Sequence, residues 1–121
     1  AYDLAALLKD PYMNIPAAMR DTLCEEYRAA LAGLAYPVNA EEFRRHYALA
    51  SLQRSMQALG AYGFLSLTKG KMKYLDYAAP CLELLADGLE NSPFAFTLLK
   101  ELCAKAREVL PARIKLCRES K

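Results

Sequence analysis

Four cysteines, Cys24, Cys81, Cys103 and Cys117, stand far apart in the chain with no C-x-x-C pair among them. With His46 as the single histidine, they supply neither the ligand spacing of a zinc site nor a disulfide framework. They read as reduced thiols. His46 lies beside Arg44 and Arg45 and reads as a solvated side chain. Lys69, Lys71 and Lys73 form a small basic turn that could meet an anion, although a solvated loop explains them as well. Gln53 and Arg54 stand midway along an apolar-periodic stretch. An arginine there could grip a carboxylate or phosphate in bidentate fashion, or pair with Asp3 or Asp10 to hold two helices together. The ion pair is the plainer of the two readings.

The elements that must position these groups belong to one domain. The chain has 121 residues, 55% of them hydrophobic and 25% charged, enough for a single core and too ordered a composition for a disordered chain. No window approaches the roughly 20 apolar residues of a membrane span, and no basic segment precedes an apolar run at the N-terminus. No membrane partner is expected, and the expected location is cytoplasmic. Net charge is +2, with seven basic against three acidic residues from position 100 onward. A solvated helix end accounts for that bias, and without basic clusters interleaved with aromatics no nucleic-acid partner is expected.

The periodicity is helical almost throughout, which predicts an all-α fold, an irregular bundle of about five helices with the third the longest. Helix one spans Ala1 to Lys9 and stops at Asp10-Pro11. Pro16 opens helix two as a first-turn residue, with Met19, Leu23, Tyr27 and Leu31 as its apolar stripe. Asn39 caps helix three, with Glu42 at capping-box spacing. That helix runs to about Leu67 on a stripe of Leu49, Leu52, Met56, Leu59 and Gly63, widened by Phe43, Tyr47 and Ala50. Gly60 and Gly63 are expected to permit close packing, and Thr68 to Lys71 to form the exit turn. Helix four spans about Asp76 to Leu89, with Pro80 in its first turn. Ser92 and Pro93 cap and open helix five, which ends near Leu110. After Pro111 only a fraying basic turn, Ala112 to Cys117, is expected. Ala1 falls inside an apolar helix that is already running, with no cap, so the chain is expected to be a piece of a longer protein.

Tyr2-Asp3-Leu4-Ala5-Ala6-Leu7-Leu8-Lys9-Asp10 resembles the Y-D-L-A-x-L-L-x-D segment that follows the metal-binding aspartate in the aminoglycoside phosphotransferase and choline kinase superfamily. The stretch from Tyr47 to Gly60, YALASLQRSMQALG, is similar to the Y-x-L-x-x-L-Q-R-x-L-K-x-L-G helix of a bacterial branch. Gly70-Lys71 and Tyr74-Leu75 match its G-K-x-x-Y-L turn. That branch includes cell-wall sugar kinases acting on the anomeric hydroxyl of N-acetylmuramic acid. Met56-Gln57 departs from the usual Leu-Lys, which touches packing and surface rather than chemistry.

The resemblance implies the C-terminal helical subdomain of a protein-kinase-like, ATP-dependent phosphotransferase with a small-molecule acceptor. ATP and Mg²⁺ would then belong to the intact parent and its missing N-terminal lobe, with neither bound by this chain. No glycine-rich phosphate loop, strand lysine, H-G-D loop or metal-binding D-F segment occurs here, and no catalytic residue or metal ligand is assigned. The resemblance gives Asp3 a supporting role, bonding the backbone of the catalytic loop. Tyr2, Tyr12, Gln53 and Arg54 become candidates for the acceptor pocket, although tyrosines in such helices are more often core with a wet hydroxyl. The competing expectation is a free-standing helical interaction module.

Overall fold

In a computed structural model describing residues 1–120 the chain is all-α, with five α-helices and no strand among the described residues. They are α1 (Tyr2–Leu8), α2 (Ala17–Gly33), α3 (Ala40–Gly63), α4 (Ala78–Glu90) and α5 (Thr97–Glu119). A π-helical turn (Phe64–Thr68) extends α3, and a 3₁₀ helix (Met72–Tyr77) leads into α4. No helix among the described residues is long and apolar enough to cross a membrane.

Asn39 starts α3 as its sequence position predicts. Its side-chain oxygen accepts from the backbone N–H groups of Glu41 at 2.9 Å and Glu42 at 3.2 Å, two donors that the first helical turn leaves unpaired. Pro16 sits one position earlier than expected, at the cap of α2 with extended ψ of 146°. Two proline expectations fail outright. Ser92 and Pro93 form a local turn in which the Ser92 hydroxyl accepts from Phe94 N–H at 3.1 Å. The helix starts only at Thr97, after Phe96 has packed into the core. Pro111 lies inside α5, which continues to Glu119. A helical proline leaves one carbonyl without its donor, four residues back. Here that is Arg107, which is exposed, so water can replace the lost bond. An ion pair from Arg118 to Asp76 holds the far end of α5.

The face of α3 turned to the core is not the leucine stripe. Leu52 is 4% exposed but Leu49 is 40% exposed and Met56 is likewise open, whereas Phe43, Ser51, Ser55, Ala58 and Tyr62 are buried. The buried face is displaced by about one residue's rotation, roughly 100°. Small side chains at its centre let α4 come close: Cys81 Sγ donates to the Ser55 carbonyl at 3.4 Å. Leu52, at one edge, packs with Leu82, Leu85 and Leu89 of α4 and Cys103 of α5. A second cluster joins Leu4 and Leu8 of α1 to Cys24 of α2 and Phe43 of α3. Gly60 and Gly63, expected at a close contact, face open space, where an added Cβ would meet nothing within 4 Å. The stripe expected on α2 is likewise largely exposed at Met19, Leu23 and Tyr27, and Cys24 is the buried residue of that helix.

The rotation of α3 sets a direct comparison. Leu52→Ala is expected to lose about 2–5 kcal/mol, the usual range for a truncated core leucine. Leu49→Ala, on the leucine stripe but in solvent, should change stability by less than about 1 kcal/mol. Urea denaturation of both variants checks this, and equal losses would restore the stripe to the core.

Candidate functional site

Two places on the molecule gather polar side chains. The first is the side where α1 meets α3. The Tyr2 hydroxyl donates to Gln57 Oε1 and ties the two helices together. Tyr2, Asp3 and Gln53 are all exposed, and Asp3 stands in the first turn of α1. Among the described residues no ion pair joins Arg54 to Asp3 or Asp10, so the expected helix-to-helix pair does not form. The Asp10 carboxylate instead accepts from the backbone N–H of Tyr12 at 2.9 Å, closing the turn after α1. Arg54 is half-buried and lies close enough to Cys81 for its charge to oppose part of the rise that burial imposes on that thiol, which is pushed up to about 11.

Tyr12 belongs to a cluster of tyrosines that the sequence did not single out. Its ring centroid lies 4.1 Å from that of Tyr77 and 6.1 Å from that of Tyr62, and Tyr74 stacks on Tyr62 at 6.2 Å. Burial, followed by contact with Tyr12, raises the Tyr62 hydroxyl well above the ordinary tyrosine range. Lys69 and Lys73 of the basic turn lie over the rings of Phe64 and Tyr74, at 5.6 and 5.3 Å. His46 is exposed, and all four cysteines are free thiols.

The second place is a cleft of about 880 Å³ between the end of α1, the start of α2, the N-terminal half of α3 and the end of α4. None of Tyr2, Asp3, Tyr12, Gln53 or Arg54 lines it. Its inner part is built around one carboxylate. Arg20 donates to Asp87 Oδ2 at 3.2 Å and to the Ile15 carbonyl at 2.7 Å. Lys9 Nζ reaches the same Oδ2 at 3.5 Å, long for a hydrogen bond. The other carboxylate oxygen accepts from Asn91 Nδ2 at 3.0 Å. The side chains of Lys9 and Arg20 are only 9% and 11% exposed, while Asp87 is 44% exposed. Burial, then the Arg20 charge, lowers the Lys9 pKa despite the opposing pull of Asp87.

Tyr47 also lines the cleft. Its hydroxyl and Ser51 Oγ, one turn apart on α3, are buried without hydrogen-bond partners. Burial pushes the Tyr47 hydroxyl up to about 12, with Cys24 adding to the rise and the nearby Ser51 offsetting part of it. Neither Lys9 nor Asp87 was marked by the sequence. Lys9 ends an apolar helix where a solvated charge is normal, and Asp87 is one acid among several near the end of α4. The available signal was the charged residue directly after the apolar Leu7-Leu8 pair, a place where a lysine can be drawn into the core.

Among the described residues, no three His, Cys, Asp or Glu side chains gather closely enough to hold a metal ion. No protein-family model, curated protein or solved structure matches the chain.

Two buried cations on one carboxylate make an unequal set. Removing Asp87 with Asp87→Asn leaves both cations uncompensated and is expected to cost roughly 2–3 kcal/mol, below the range for fully buried pairs because solvent reaches Asp87. Lys9→Met leaves Arg20 and Asp87 matched one to one, and should be as stable as the native chain or more so at pH 7. A lysine whose folded pKa is depressed binds fewer protons folded than unfolded, so its penalty is full below the folded pKa. The penalty fades as pH rises toward the ordinary value of 10.5. The stability gap between Lys9→Met and the native chain should therefore narrow with rising pH. Paired urea titrations from pH 6 to 10 measure it; a gap that widens contradicts the assignment.

Proposed function

We propose that this chain is the C-terminal helical part of an ATP-dependent small-molecule phosphotransferase of the aminoglycoside phosphotransferase and choline kinase superfamily. Its acceptor would be an amino sugar or an aminoglycoside-like hydroxyl compound. The observation that supports this reading is that the two stretches carrying the resemblance, Tyr2–Asp10 and Tyr47–Gly60, lie against each other as α1 and α3, tied by the Tyr2–Gln57 bond. Two distant segments that share a fold's motif should meet in space, and these do.

In this reading Asp3, exposed at the start of α1, bonds the N–H groups of a catalytic loop supplied by a preceding lobe. Tyr2 and Gln53, exposed on the same assembly of helices, form part of the acceptor wall. Tyr12, exposed beside the Tyr77 ring, and the half-buried Arg54 complete that wall. ATP and Mg²⁺ would belong to the preceding lobe. The acceptor is a small molecule met in the cytoplasm, with no nucleic acid and no membrane as partner.

A second reading has an observation of its own. Leu98, Leu102, Val109 and Leu116 are exposed along α5 at steps of four and seven residues, the spacing of a helix–helix seam. That favours a helical interaction module. Sedimentation velocity separates the two readings, because a module built on this seam should self-associate and lose that association in Leu102→Glu.

The phosphotransferase reading is tested with labelled ATP, Mg²⁺ and a panel of amino sugars, hexoses and aminoglycosides, offered to this chain and to the full open reading frame containing it. The longer protein should phosphorylate an amino sugar, and the 121-residue chain should transfer nothing, because positioning and charge stabilisation carry most of this reaction. Asp3→Asn in the longer protein should lower kcat at least about tenfold with the acceptor KM little changed. Transfer by the short chain alone, or none by the longer protein, would end this reading.

A further inference from the structure

We propose that the cleft around Asp87 is a binding site for a small oxyanion, a carboxylate or phosphate group on a compact molecule whose remainder is neutral or cationic. Lys9, Arg20 and the Tyr47 hydroxyl would hold the anionic group. The site goes beyond the phosphotransferase reading and does not depend on it.

Three observations converge on it. The first is the sharing of one partner. Lys9 and Arg20, about nine-tenths buried, have a single carboxylate in contact between them, Asp87, while Asp21 acts on Lys9 only from farther off. Water can satisfy a donor but cannot neutralise a charge, and uncompensated charge in a buried place is costly. The second is geometry. Lys9 Nζ is 3.5 Å from its carboxylate, beyond ordinary hydrogen-bond length, so its donors remain open to an oxygen arriving in the cleft. The third is Tyr47, which lines the same cleft and whose buried hydroxyl has only Ser51 Oγ, one turn away on α3, beside it. A phenol so poorly satisfied can turn its donor toward an incoming acceptor. Burial first, and then the Arg20 charge, lowers the Lys9 pKa, with Asp87 and Asp21 opposing.

The outer cleft limits what can enter. Asp21, Glu25, Glu41 and Glu90 line it. Glu25 is held by Arg28 at 3.0 Å and Arg44 at 3.3 Å, and Glu90 lies 4.0 Å from Lys100. Asp21 and Glu41 have no ion-pair partner among the described residues. A polyanion such as a nucleoside triphosphate would meet these carboxylates on the way in. A single oxyanion carried on an uncharged or ammonium-bearing body would not be repelled. The ring of Phe94, held under the Arg45 guanidinium at 5.2 Å, gives such a body an apolar wall.

The experiment is a titration of the isotope-labelled 121-residue chain with acetate, inorganic phosphate and glycine in turn, followed by amide and side-chain chemical shifts. Saturable shifts confined to Lys9, Arg20, Tyr47 and Asp87 are expected with at least one of the three. The ranking of the probes distinguishes a carboxylate source from a phosphate source, and glycine reports whether an ammonium-bearing body is accepted. Lys9→Met should weaken binding at least about tenfold, the loss of a charge-assisted contact. Tyr47→Phe, which leaves every ion pair in place, should weaken it roughly two- to tenfold with the melting curve unmoved. Binding should also take up protons at alkaline pH, because an anion beside Lys9 raises its pKa. Shifts that rise linearly with concentration across the exposed lysines and arginines, or unchanged affinity in both variants, would overturn the proposal.

Discussion

The closeness of α4 to α3 governs the rest of the fold. Near one end of the contact Cys81 rests on the α3 backbone, its thiol 3.4 Å from the Ser55 carbonyl. Near the other, Gly88 lies so close that an added Cβ would stand 3.1 Å from Leu52 Cδ2. Only small side chains, Ser51, Ser55 and Ala58, fit along the α3 face between them. This approach fixes the register of α4 and presents Asp87, the neighbour of Gly88, to α1 and α2. Since Cys24 is the only buried residue of α2, that helix has little core of its own. Its position relies on polar ties, Arg20 to Asp87 and Glu25 to Arg44, together with the Tyr27 ring beside Phe43. The cleft therefore exists because α4 is close and α2 is not.

Much of this fold was legible in the sequence, and the failures share a cause. Helical periodicity gave five helices in the right order, the Asn39 cap, α3 as the longest helix and Pro80 in the first turn of α4. Apolar patterning misplaced α3 because it assigns burial by hydrophobicity, while a close helix contact selects small residues whatever their polarity. Serines therefore took the centre of the face and Leu49 was left outside. Proline signals misled at Pro93 and Pro111 for a related reason. Their local preferences were outweighed by the packing of Phe96 at the start of α5 and by the exposed place of Arg107, whose carbonyl Pro111 leaves without its donor.

The sites divided along the same line. Tyr2, Asp3 and Gln53 were singled out for their place in two segments that carry a resemblance, and those segments meet through the bond from Tyr2 to Gln57. Arg54 kept its half-buried place but found no acidic partner, since Asp10 turns its carboxylate to the backbone of its own loop. Lys9, Arg20 and Asp87 were invisible because nothing in the chain announces that residues 9, 20 and 87 will meet. Only the register of α4 on α3 brings them together.

Charge pairing elsewhere on the molecule shows why the Asp87 cluster stands apart. Arg107 and Glu83 meet through two bonds of 2.8 Å, Lys105 and Glu108 at 2.9 Å, each cation with one carboxylate and each pair in solvent. Glu25 does serve two arginines, but Arg44 is 65% exposed and water screens the surplus. Around Asp87 the two cations that share one carboxylate are buried, where screening is weak. A chain selected for stability alone would carry an apolar side chain at position 9, which would extend the Leu4 and Leu8 face of α1 into the same core. A lysine buried there against desolvation is the kind of local conflict that folds tolerate where a group is needed for something other than folding.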